Sequence, residues 1–481
     1  MVRRLLSLLL FLLPAVLAAE TVTVSSQADF DVLSARITTL VKGGMKEITV
    51  RFMEGTYHFK DNQLELRNLS ASTLRLVLEC GGAVFVPADL GTRSYGDVLL
   101  SLKDLTCRDR LSVPVQVKKR PEVINRKTGL CRVLTTEKNL SEKDAEGMYL
   151  ILTQRYRSGR YPVSKIQDGF VYFTAEGVTT DGDPYHDIDV DFKSERVLPR
   201  YSLLSAQKSH PGLHRGTACR FLTMINCYIG SFCLNGARFL GNGGEDCLMQ
   251  FYANDATSVE VSGCRFEHIH SDIIHVQRTG NFLFRDNDVE HIWRHGITVD
   301  YFSSGAEFAD NRFNDTGLLM ENTFCLQLRG GHFLVHDNVF KDFTYGAVGI
   351  GTYWKDPMPA SASGVMEKNE LFCMPAFDRY MMDSGAVYTW TINRDVTIRE
   401  NYIHDIGGYG QNRGIFCDDG TVNVHIVGNR VLRIRNSYCI DLRKVLSIER
   451  DPASAIRKVN VGNTLENNMV DGDIRFWNRD E

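Results

Sequence analysis

The sequence predicts an all-β solenoid, in which short strands stack as successive coils. The main observation is a repeat of asparagines, each with an apolar residue three positions before it and another two positions after it. The repeated asparagines are Asn287, Asn311, Asn338, Asn369, Asn401, Asn429 and Asn468, spaced by 24, 27, 31, 32, 28 and 39 residues. Repeats of this length that carry short alternating segments, instead of paired helical patterns, are typical of solenoids built from β-strands.

Each coil is predicted to contain two strands. The first surrounds the asparagine, as in Phe284 to Val289, and its alternate apolar side chains fill the interior. Asparagine suits this position because it tolerates left-handed backbone geometry at a bend, and because its amide can bond the identical amide one coil away. The second strands are predicted over 273–277, 296–300, 324–327, 346–350, 385–389, 414–418 and 440–443. Cys264 takes the asparagine position one coil earlier and Asn235 marks a candidate before that, so eight or nine coils are visible.

This pattern resembles the right-handed parallel β-helix proteins of the pectin-lyase-like superfamily, and the resemblance covers about residues 220–475. The preceding half is less regular. An amphipathic pattern predicts one helix from Asp29 to Lys42, followed by a strand from Glu47 to Met53 and a Gly-Thr-Tyr turn, which is similar to the capped start of many extracellular β-helix enzymes. Segments 148–154, 161–166 and 170–175, with a turn at Asp168-Gly169, predict antiparallel strands.

The expected fold is therefore an all-β, right-handed parallel β-helix with an N-terminal capping helix and a β-rich insert in the early coils. We expect a signal peptide over 1–19, the cap and first coils over 20–103, the insert over 104–219, and the parallel β-helix with the candidate active site over 220–481.

The first residues have the composition of a cleavable signal peptide. Arg3 and Arg4 precede the apolar run Leu5 to Leu17, which is too short to span a membrane and is followed by small residues. No cysteine follows directly to carry a lipid anchor. We therefore expect a secreted or periplasmic protein without a membrane span, acting as a monomer. The formal charge of −4, from 55 basic and 59 acidic residues, gives no basic footprint for DNA or RNA.

The twelve cysteines are scattered and contain no Cys-x-x-Cys zinc pattern. They are expected to be mainly small buried apolar side chains, with one or two disulfides left open. Repetition of Glu-His-Ile at 267–269 and 290–292 favours stacking between coils over a metal site with His275 or His295. Asp405 lies four residues after its asparagine, at a position that recurs in other coils, which indicates a turn.

The outward side chains of the second strands are predicted to form a polar row. In register, this row contains Gln277, Asp300, Gln327, Ile350, Thr389, Asp418 and Arg443, each about 4.8 Å from the next. Such a row suits an extended polymer, although a solvated face is the simpler explanation for any single member. The coils between Asn338 and Asn429 are the longest, and their extra residues include Tyr353, Trp354 and 375–383. Long loops on a rigid scaffold concentrate function, so we place the candidate site there.

The same coils carry three short motifs. They are Asp-x-Gly-Ala-x-Tyr at 383–388, Asn-Tyr-Ile-His-Asp at 401–405 and Gly-Ile-x-x-Asp-Asp-Gly at 414–420. In this order they resemble β-helical glycoside hydrolases, especially those similar to family 141. The resemblance implies exo-acting or branch-cleaving hydrolysis of a complex polysaccharide, with Asp383 and one of Asp418 or Asp419 as the carboxylate pair.

Glycosidic cleavage needs one carboxylic acid to protonate the leaving oxygen and a second carboxylate to attack the sugar or activate water, at about 5–9.5 Å. Aromatic side chains can stack on sugar faces, although Tyr388 falls at an inward position in this register, and Arg413 could hold an acidic sugar. The expected substrate-binding set is Trp354, Tyr353, Tyr388, Trp390, Arg413, Gln327, Asp300 and Asp441. A hydrolase of this kind needs no metal or other cofactor.

The predicted register leaves the partner of Asp418 open. Asp383 precedes its strand whereas Asp418 lies near the other end, about six residues or about 20 Å away if the chain is extended. Either the 381–384 loop folds over the sheet, or the register is wrong by a few residues, or the partners differ. Asp441, one coil further and two residues back on the same face, would lie about 8 Å from Asp418.

Two other functions stay open. A lyase acting beside a uronate would use an arginine near the groove, with Asp300 and Asp418 able to hold calcium; the candidate arginines are Arg278, Arg329, Arg413 and Arg443. A non-catalytic glycan-binding solenoid would need no carboxylate pair. In all three cases the expected partner is a polysaccharide or oligosaccharide.

Overall fold

The computed structural model describes the strands and corners of the coils together with parts of the preceding half. The described residues are 19–88, 113–115, 122–125, 128–134, 148–154, 157–174, 200–205, 220–242, 247–269, 271–292, 294–300, 305–317, 323–351, 362–374, 384–407, 412–418, 421–435, 437–442 and 463–476. The predicted signal peptide lies outside them, except for Ala19.

Three long parallel sheets form the walls of the coils. Sheet A contains Ala19–Val24, Glu47–Phe52, Ser70–Glu79, Tyr228–Asn235, Ser258–Ser262, Asn281–Arg285, Gly305–Ala309, Gly331–His336, Ala362–Glu367, Ile392–Arg399, Val422–Val427 and Thr464–Glu466. Sheet B contains Gly55–Phe59, Ala83–Pro87, Arg238–Asn242, Arg265–Ile269, Asp288–Ile292, Arg312–Thr316, Val339–Phe343, Glu370–Met374, Tyr402–Ile406, Arg430–Leu432 and Met469–Val470. Sheet C contains Leu64–Arg67, Leu222–Ile225, Cys247–Asn254, Asp272–Thr279, Ile297–Asp300, Phe324–Arg329, Gly346–Ile350, Ser384–Thr389, Asn412–Cys417, Ile440–Leu442 and Ile474–Phe476.

Each coil contributes three strands, which corrects the predicted two. The asparagine is the corner between sheets A and B, so a segment predicted as one strand divides there: Asn281–Arg285 ends before Asn287 and Asp288–Ile292 begins after it. The predicted second strands are all present in sheet C. Sheets B and C each hold 11 described strands, so the described residues complete 11 coils. The asparagine repeat did not show the first coils, because their corners carry no asparagine.

The predicted asparagine ladder is confirmed. Asn338 Nδ2 donates to Asn369 Oδ1 at 2.9 Å and to the carbonyl oxygen of Phe308 at 2.9 Å, while its Oδ1 accepts from the backbone N–H of Asn311 at 3.0 Å. The same amide-to-amide bond recurs along the whole series. Each buried amide thus satisfies backbone groups of its own coil and its neighbours, which fixes the stacking of the coils.

The left-handed geometry expected of the ladder asparagines belongs instead to the residue before them. Asp286, Asp310, Asp337, Lys368, Glu400 and Asn467 have φ between 53° and 57°. The buried amide must bond the coils on both sides, so the exposed preceding residue makes the bend. The frame of the earliest predicted coil is also corrected, because Ala237, and not Asn235, precedes the sheet B strand at the position of Cys264.

A second left-handed position recurs near the end of the sheet B strands, just before the chain turns toward sheet C. It contains His268, His291, Asp315, Asp342, Cys373, Asp405 and Arg433, with φ between 53° and 64°. This recurrence confirms that Asp405 belongs to a turn. Its carboxylate pairs with the Arg433 guanidinium of the next coil at 2.7 Å, as expected for a residue that serves the repeat.

The N-terminal cap contains two short helices instead of the single one predicted. Gln27–Asp31 begins after Ser26, whose hydroxyl accepts the backbone N–H of Asp29 at 3.2 Å. The chain leaves helical geometry at Val32, and Leu33–Lys42 follows. The buried side chains of this cap are Phe30, Leu33, Ile37 and Val41. They cover the open end of the first coils, which protects a sheet edge from association.

An antiparallel sheet interrupts one early coil, between Ala83–Pro87 of sheet B and Leu222–Ile225 of sheet C. Its seven strands are Val113–Val115, Glu122–Asn125, Leu130–Leu134, Met148–Gln154, Arg157–Gln167, Phe170–Thr174 and Arg200–Ser205. The predicted antiparallel strands are confirmed, as is the turn at Asp168-Gly169, where both residues have positive φ. The insert therefore lies in the sequence between the sheet B and sheet C strands of the second coil.

Ten of the cysteines lie within the described residues, and all ten are free thiols. Eight of them are buried, including Cys417 at its predicted inward position. The described cysteines therefore act mainly as small interior side chains, as expected. Cys264 occupies the ladder position, where its backbone N–H donates to Asn287 Oδ1 at 2.8 Å.

Candidate active site

The outer face of sheet C carries three columns of side chains. In the strand Phe324–Arg329, the outward side chains are Phe324, Gln327 and Arg329, while the other three join the interior core. The parallel register repeats this arrangement in each coil. Column one contains Cys247, Asp272, His295, Phe324, Gly346, Gly385 and Arg413; column two contains Gln250, His275, Thr298, Gln327, Gly349, Tyr388, Phe416 and Asp441; column three contains Tyr252, Gln277, Asp300, Arg329, Gly351, Trp390 and Asp418.

The residues of the predicted polar row belong to two different columns of the outer face and, in part, to the interior of the coils. Asp300 is in line with Arg329 and not with Gln327, whereas Ile350 and Thr389 are fully buried inside the coils. A slip of one residue moves a side chain to the other face of a sheet, because successive side chains alternate. The slip occurred because the strands of sheet C differ in length, so strand ends are a poor guide to register.

Tyr388 and Trp390 lie on the outer face, which corrects the inward position predicted for Tyr388. With Phe324, Tyr345 and Phe416 they form one aromatic cluster. The Tyr388 ring centroid lies 5.0 Å from that of Phe416, and Trp390 stacks on Phe324 at 6.0 Å with 17° between the planes. Tyr388 is 8% exposed and Trp390 7%. The rings are therefore packed against one another, and little ring surface is exposed for stacking on a sugar.

One coil has glycine in all three columns, which makes room for these rings. A Cβ atom added at Gly349 would lie 2.9 Å from Phe324 Cε1, and one at Gly351 would lie 2.4 Å from Trp390 Cδ2. The third glycine of this coil, Gly346, also lies against the Phe324 ring. The sequence Gly-Ala-Val-Gly-Ile-Gly at 346–351 is therefore a requirement of the aromatic cluster, and it was the available signal for that cluster.

Asp418 lies beside the aromatic cluster, at the end of column three. Its carboxylate accepts a hydrogen bond from the Tyr388 hydroxyl one coil earlier. The Asp418 backbone N–H donates to the Thr389 carbonyl oxygen at 2.9 Å, which fixes the residue at the strand end. The side chain is mostly buried against the rings.

Arg413 and Asp441 form a fully buried ion pair. The Arg413 Nε donates to Asp441 Oδ2 at 2.8 Å, and the guanidinium carbon lies 3.9 Å from the centroid of the Phe416 ring. This burial does not support the predicted contact between Arg413 and an acidic sugar. Asp441 is in line with Phe416, so it lies one coil beyond Asp418 and two residues back, about 8 Å away, as predicted.

Four of the predicted site residues lie outside the described residues. They are Asp383, Asp419, Tyr353 and Trp354. Ser384, next to Asp383, is in line with Asn412. Asn412 precedes Asp418 by six residues, so the start of this strand lies about 20 Å along the sheet from Asp418.

A polar section of the face adjoins the aromatic cluster. Arg329 Nη1 lies 3.6 Å from Asp300 Oδ1, and Arg329 Nη2 donates to Gln327 Oε1 at 2.7 Å. Asp300 and Asp418 are four coils apart in column three, or about 19 Å, which is too far for a catalytic pair. Asp300 therefore does not share one reaction with Asp418.

A family model described as a right handed beta helix region matches residues 210–354. This chain is a right-handed parallel β-helix. Among solved structures, the β-helix is similar to a glycoside hydrolase, with 11% identity, a TM-score of 0.57, and 94% of this chain and 97% of that chain covered. It is also similar to the Pseudomonas phage phi297 tailspike gp61 (9% identity, TM-score 0.22, 85% and 72% covered) and to PfbA, a surface adhesin of Streptococcus pneumoniae (9% identity, TM-score 0.33, 91% and 88% covered). No curated protein matches the sequence.

The described part of this β-helix contains no helix long and apolar enough to cross a membrane. Within the same residues, no group of three or more His, Cys, Asp or Glu side chains is arranged to hold a metal ion. The predicted stacking of the Glu-His-Ile repeats is confirmed, because the His268 and His291 rings stack at 4.7 Å with 16° between their planes.

A cluster of polar side chains in columns one and two of the β-helix was missed by sequence reasoning. Asp272 Oδ2 lies 2.6 Å from His275 Nε2, and Asp272 Oδ1 accepts the backbone N–H of His295 at 3.1 Å. His295 Nδ1 in turn accepts the backbone N–H of Phe324 at 3.1 Å, so the neutral ring carries its proton on Nε2. The two histidines had been considered only as metal ligands, and their shared face required the correct register.

His295 is expected to make the β-helix less stable in mild acid. Burial lowers the pKa of His295 to about 4, whereas the residue in an unfolded chain titrates near pH 6.5. Below pH 6.5 the unfolded chain binds a proton that the folded chain does not, so stability should fall by up to about 3 kcal/mol as the pH drops to 4. Urea unfolding across this range should show a shallower pH dependence for His295→Gln than for wild type, while His58→Gln, which changes an exposed histidine, should match wild type. Equal slopes for His295→Gln and wild type would contradict the expectation.

Proposed function

We propose that this chain hydrolyses glycosidic bonds of a polysaccharide that lies along the outer face of sheet C, with Asp418 as one of two catalytic carboxyl groups. The observation that carries the proposal is the position of Asp418, hydrogen-bonded to Tyr388 at the edge of an aromatic cluster on that face. The fold is compatible with this chemistry, because a solved structure similar to this chain is a glycoside hydrolase.

The face suits an extended polymer. Successive coils are about 4.8 Å apart, which is close to the length of one sugar ring in an extended chain. The polar section at Asp300, Gln327 and Arg329 supplies hydrogen-bond donors and acceptors for sugar hydroxyl groups three to four coils from Asp418. A polymer of five or six sugars would therefore contact both the polar section and the reacting carboxyl group.

We assign the role of proton donor to Asp418 because it lies on the outer face, where its carboxyl group is hydrogen-bonded to the Tyr388 hydroxyl at the edge of the aromatic cluster. A guanidinium in contact with a carboxylate favours the charged form, so Asp441, held by Arg413, is suited to act as the base. Two carboxyl groups in such different surroundings can divide the acid and base roles. The register places their backbones about 8 Å apart, and carboxyl groups at that separation would fall in the range of inverting enzymes.

Asp383 is the second candidate for the partner, because the motif resemblance points to it and because Asp441 is fully buried in this structure. Asp441→Asn and Asp383→Asn separate the two. The variant that removes the true partner should lose about 10²–10⁴-fold in turnover, whereas the other should stay within about tenfold of wild type. Since Asp441→Asn also weakens a buried ion pair, melting temperatures should be measured beside the rates, and activity assayed well below them. Full activity in both variants would exclude both pairs.

The reaction class is tested by the products. A panel of neutral and acidic polysaccharides should be incubated with wild-type protein, followed by chromatography and mass spectrometry of the released sugars. Hydrolysis adds water across the bond and yields saturated products, whereas a lyase yields unsaturated products that absorb in the ultraviolet. Saturated products that depend on Asp418 support the proposal. Unsaturated products, or binding without any product, would overturn it.

A further inference from the structure

A second cluster of reactive side chains lies on the same face, five coils from Asp418, or about 24 Å away. Cys247 opens the strand Cys247–Asn254 in column one and is directly in line with Asp272 of the next coil. His275 follows in column two of that coil. The register therefore brings a thiol, an imidazole and a carboxylate together, independently of the candidate active site.

The contacts connect the three groups in the sequence carboxylate, imidazole, thiol. His275 Nε2 lies 2.6 Å from Asp272 Oδ2, Cys247 is next to Asp272 in the register, and hydrogen bonding to the Cys247 side chain is one of the causes that raise the pKa of the same imidazole. The other carboxylate oxygen of Asp272 accepts the backbone N–H of His295 at 3.1 Å and lies 3.4 Å from Arg294 Nε. Asp272 is thus held from two sides and orients the imidazole toward the thiol, which is the order of groups in a nucleophilic triad.

The charge state of the imidazole fits this order. Burial lowers the pKa of His275, but the hydrogen bonds to Asp272 and Cys247 outweigh it and raise the pKa to about 10. A protonated imidazole beside a thiol is the arrangement that stabilises a thiolate nucleophile. The His275 side chain is 34% exposed, so the cluster reaches the surface through the imidazole although Cys247 itself is 2% exposed.

We propose that Cys247, His275 and Asp272 form a second reactive centre, in which the thiol cleaves acyl esters presented on the outer face of sheet C. With its proton held by His275, Sγ attacks the carbonyl carbon, the S–C bond forms, and the ester C–O bond breaks as His275 returns the proton to the leaving oxygen. Water then gives a proton to His275 and attacks the thioester, releasing a carboxylic acid and restoring the thiol. Water is the only co-reactant. The proposal does not depend on glycoside hydrolysis.

The other cysteines supply internal controls. Cys325 and Cys417 point into the coil, and burial raises the pKa of each to about 12. Cys233 and Cys373 are partly exposed, and burial raises the pKa of both thiols. If exposure alone decided reactivity, Cys233 and Cys373 would react before Cys247. The triad predicts the opposite order.

The first test is alkylation with iodoacetamide, measured for each cysteine by mass spectrometry of peptides. At pH 7, Cys247 should react at least about tenfold faster than Cys233 and Cys373. His275→Asn and Asp272→Asn should reduce Cys247 to the rate of the controls, and Cys233→Ser should not affect it. An order that follows exposure, or an unchanged rate in His275→Asn, would overturn the triad. If a variant unfolds, the comparison among wild-type cysteines still decides.

The second test uses p-nitrophenyl acetate. Wild-type protein should release p-nitrophenol and carry an acetyl group on Cys247 when quenched, and Cys247→Ser should lose both. Asp418→Asn should retain both, because that residue belongs to the other site. Fast alkylation of Cys247 without acetyl transfer would overturn the ester chemistry, and loss of glycoside hydrolysis alone would affect only the function proposed above.

Discussion

Replacing Asp418 with asparagine is expected to lower the turnover of a degraded polysaccharide by about 10²–10⁴-fold. The amide has the shape of the carboxylic acid and keeps a partner for the Tyr388 hydroxyl, but it has no proton to give to the leaving oxygen. Substrate binding should change much less, because the columns beside Asp418 keep their positions. Initial rates on the polysaccharide that wild-type protein degrades give kcat and KM separately, and the loss should be in kcat.

The matched control for this substitution is Asp395→Asn. Asp395 lies on sheet A, where its side chain is 72% exposed and 3.7 Å from His425. The same change of chemistry on a different wall of the coils should leave the rate within about twofold of wild type. Tyr388→Phe removes only the phenol oxygen and should give an intermediate loss. Retention of full activity in Asp418→Asn, with a folded protein, would refute the assignment of Asp418.

Replacing Asn338 with alanine is expected to destabilise the coils by about 3–5 kcal/mol. The amide donates to the Phe308 carbonyl and to Asn369 Oδ1, and it accepts from the backbone N–H of Asn311. All of these groups are buried, so the Phe308 carbonyl oxygen and the Asn311 N–H lose this partner without gaining water, at about 1–3 kcal/mol per unsatisfied group, whereas Asn369 Oδ1 keeps the backbone N–H of residue 338. The missing amide also leaves a small cavity. The shift should appear in the midpoint of chemical denaturation followed by circular dichroism.

Asn468 provides a control in the same ladder. It is the last asparagine of the series, it donates to the Ile426 carbonyl at 2.8 Å, and it is only partly buried. Water can replace part of its hydrogen bonding, so Asn468→Ala should cost about 1 kcal/mol. Equal effects at Asn338 and Asn468 would mean that burial of the amide does not set its contribution. Because a solenoid can unfold in parts, unfolding should be followed by more than one probe.

The ladder was predictable because one residue type answers one local need. A corner that buries backbone N–H and C=O groups is well served by a small side chain with both a donor and an acceptor, and asparagine meets that need in seven successive coils. The number of strands was less predictable. Asn287 marks a corner between two strands, but apolar residues flank it on both sides, so the pattern could not separate a bent strand from two strands meeting at a corner.

The prediction for the outer face of sheet C was correct in outline, but its register was wrong. Asp418, Tyr388 and Trp390 were predicted to lie in neighbouring coils, and the structure places all three on one face. The predicted alignment nevertheless assigned Tyr388 to the interior and Thr389 to the surface. Two consecutive residues, Ala386 and Val387, point inward in this strand, which breaks simple alternation. A count from a strand end that assumes strict alternation therefore assigns the following side chains to the wrong face.

The sequence by itself determined the repeat, the parallel coils, the ladder and the coils in which the candidate carboxyl groups lie, because these follow from spacing and from the hydrogen-bonding capacity of single residues. Only the tertiary structure decided which side chains share a face. It placed Asp441 in an ion pair with Arg413, packed the Phe324 and Trp390 rings against a coil of glycines, and brought Cys247 to His275. Those contacts join residues 20 to 40 positions apart, and a shift of one residue in register exchanges the interior for the surface.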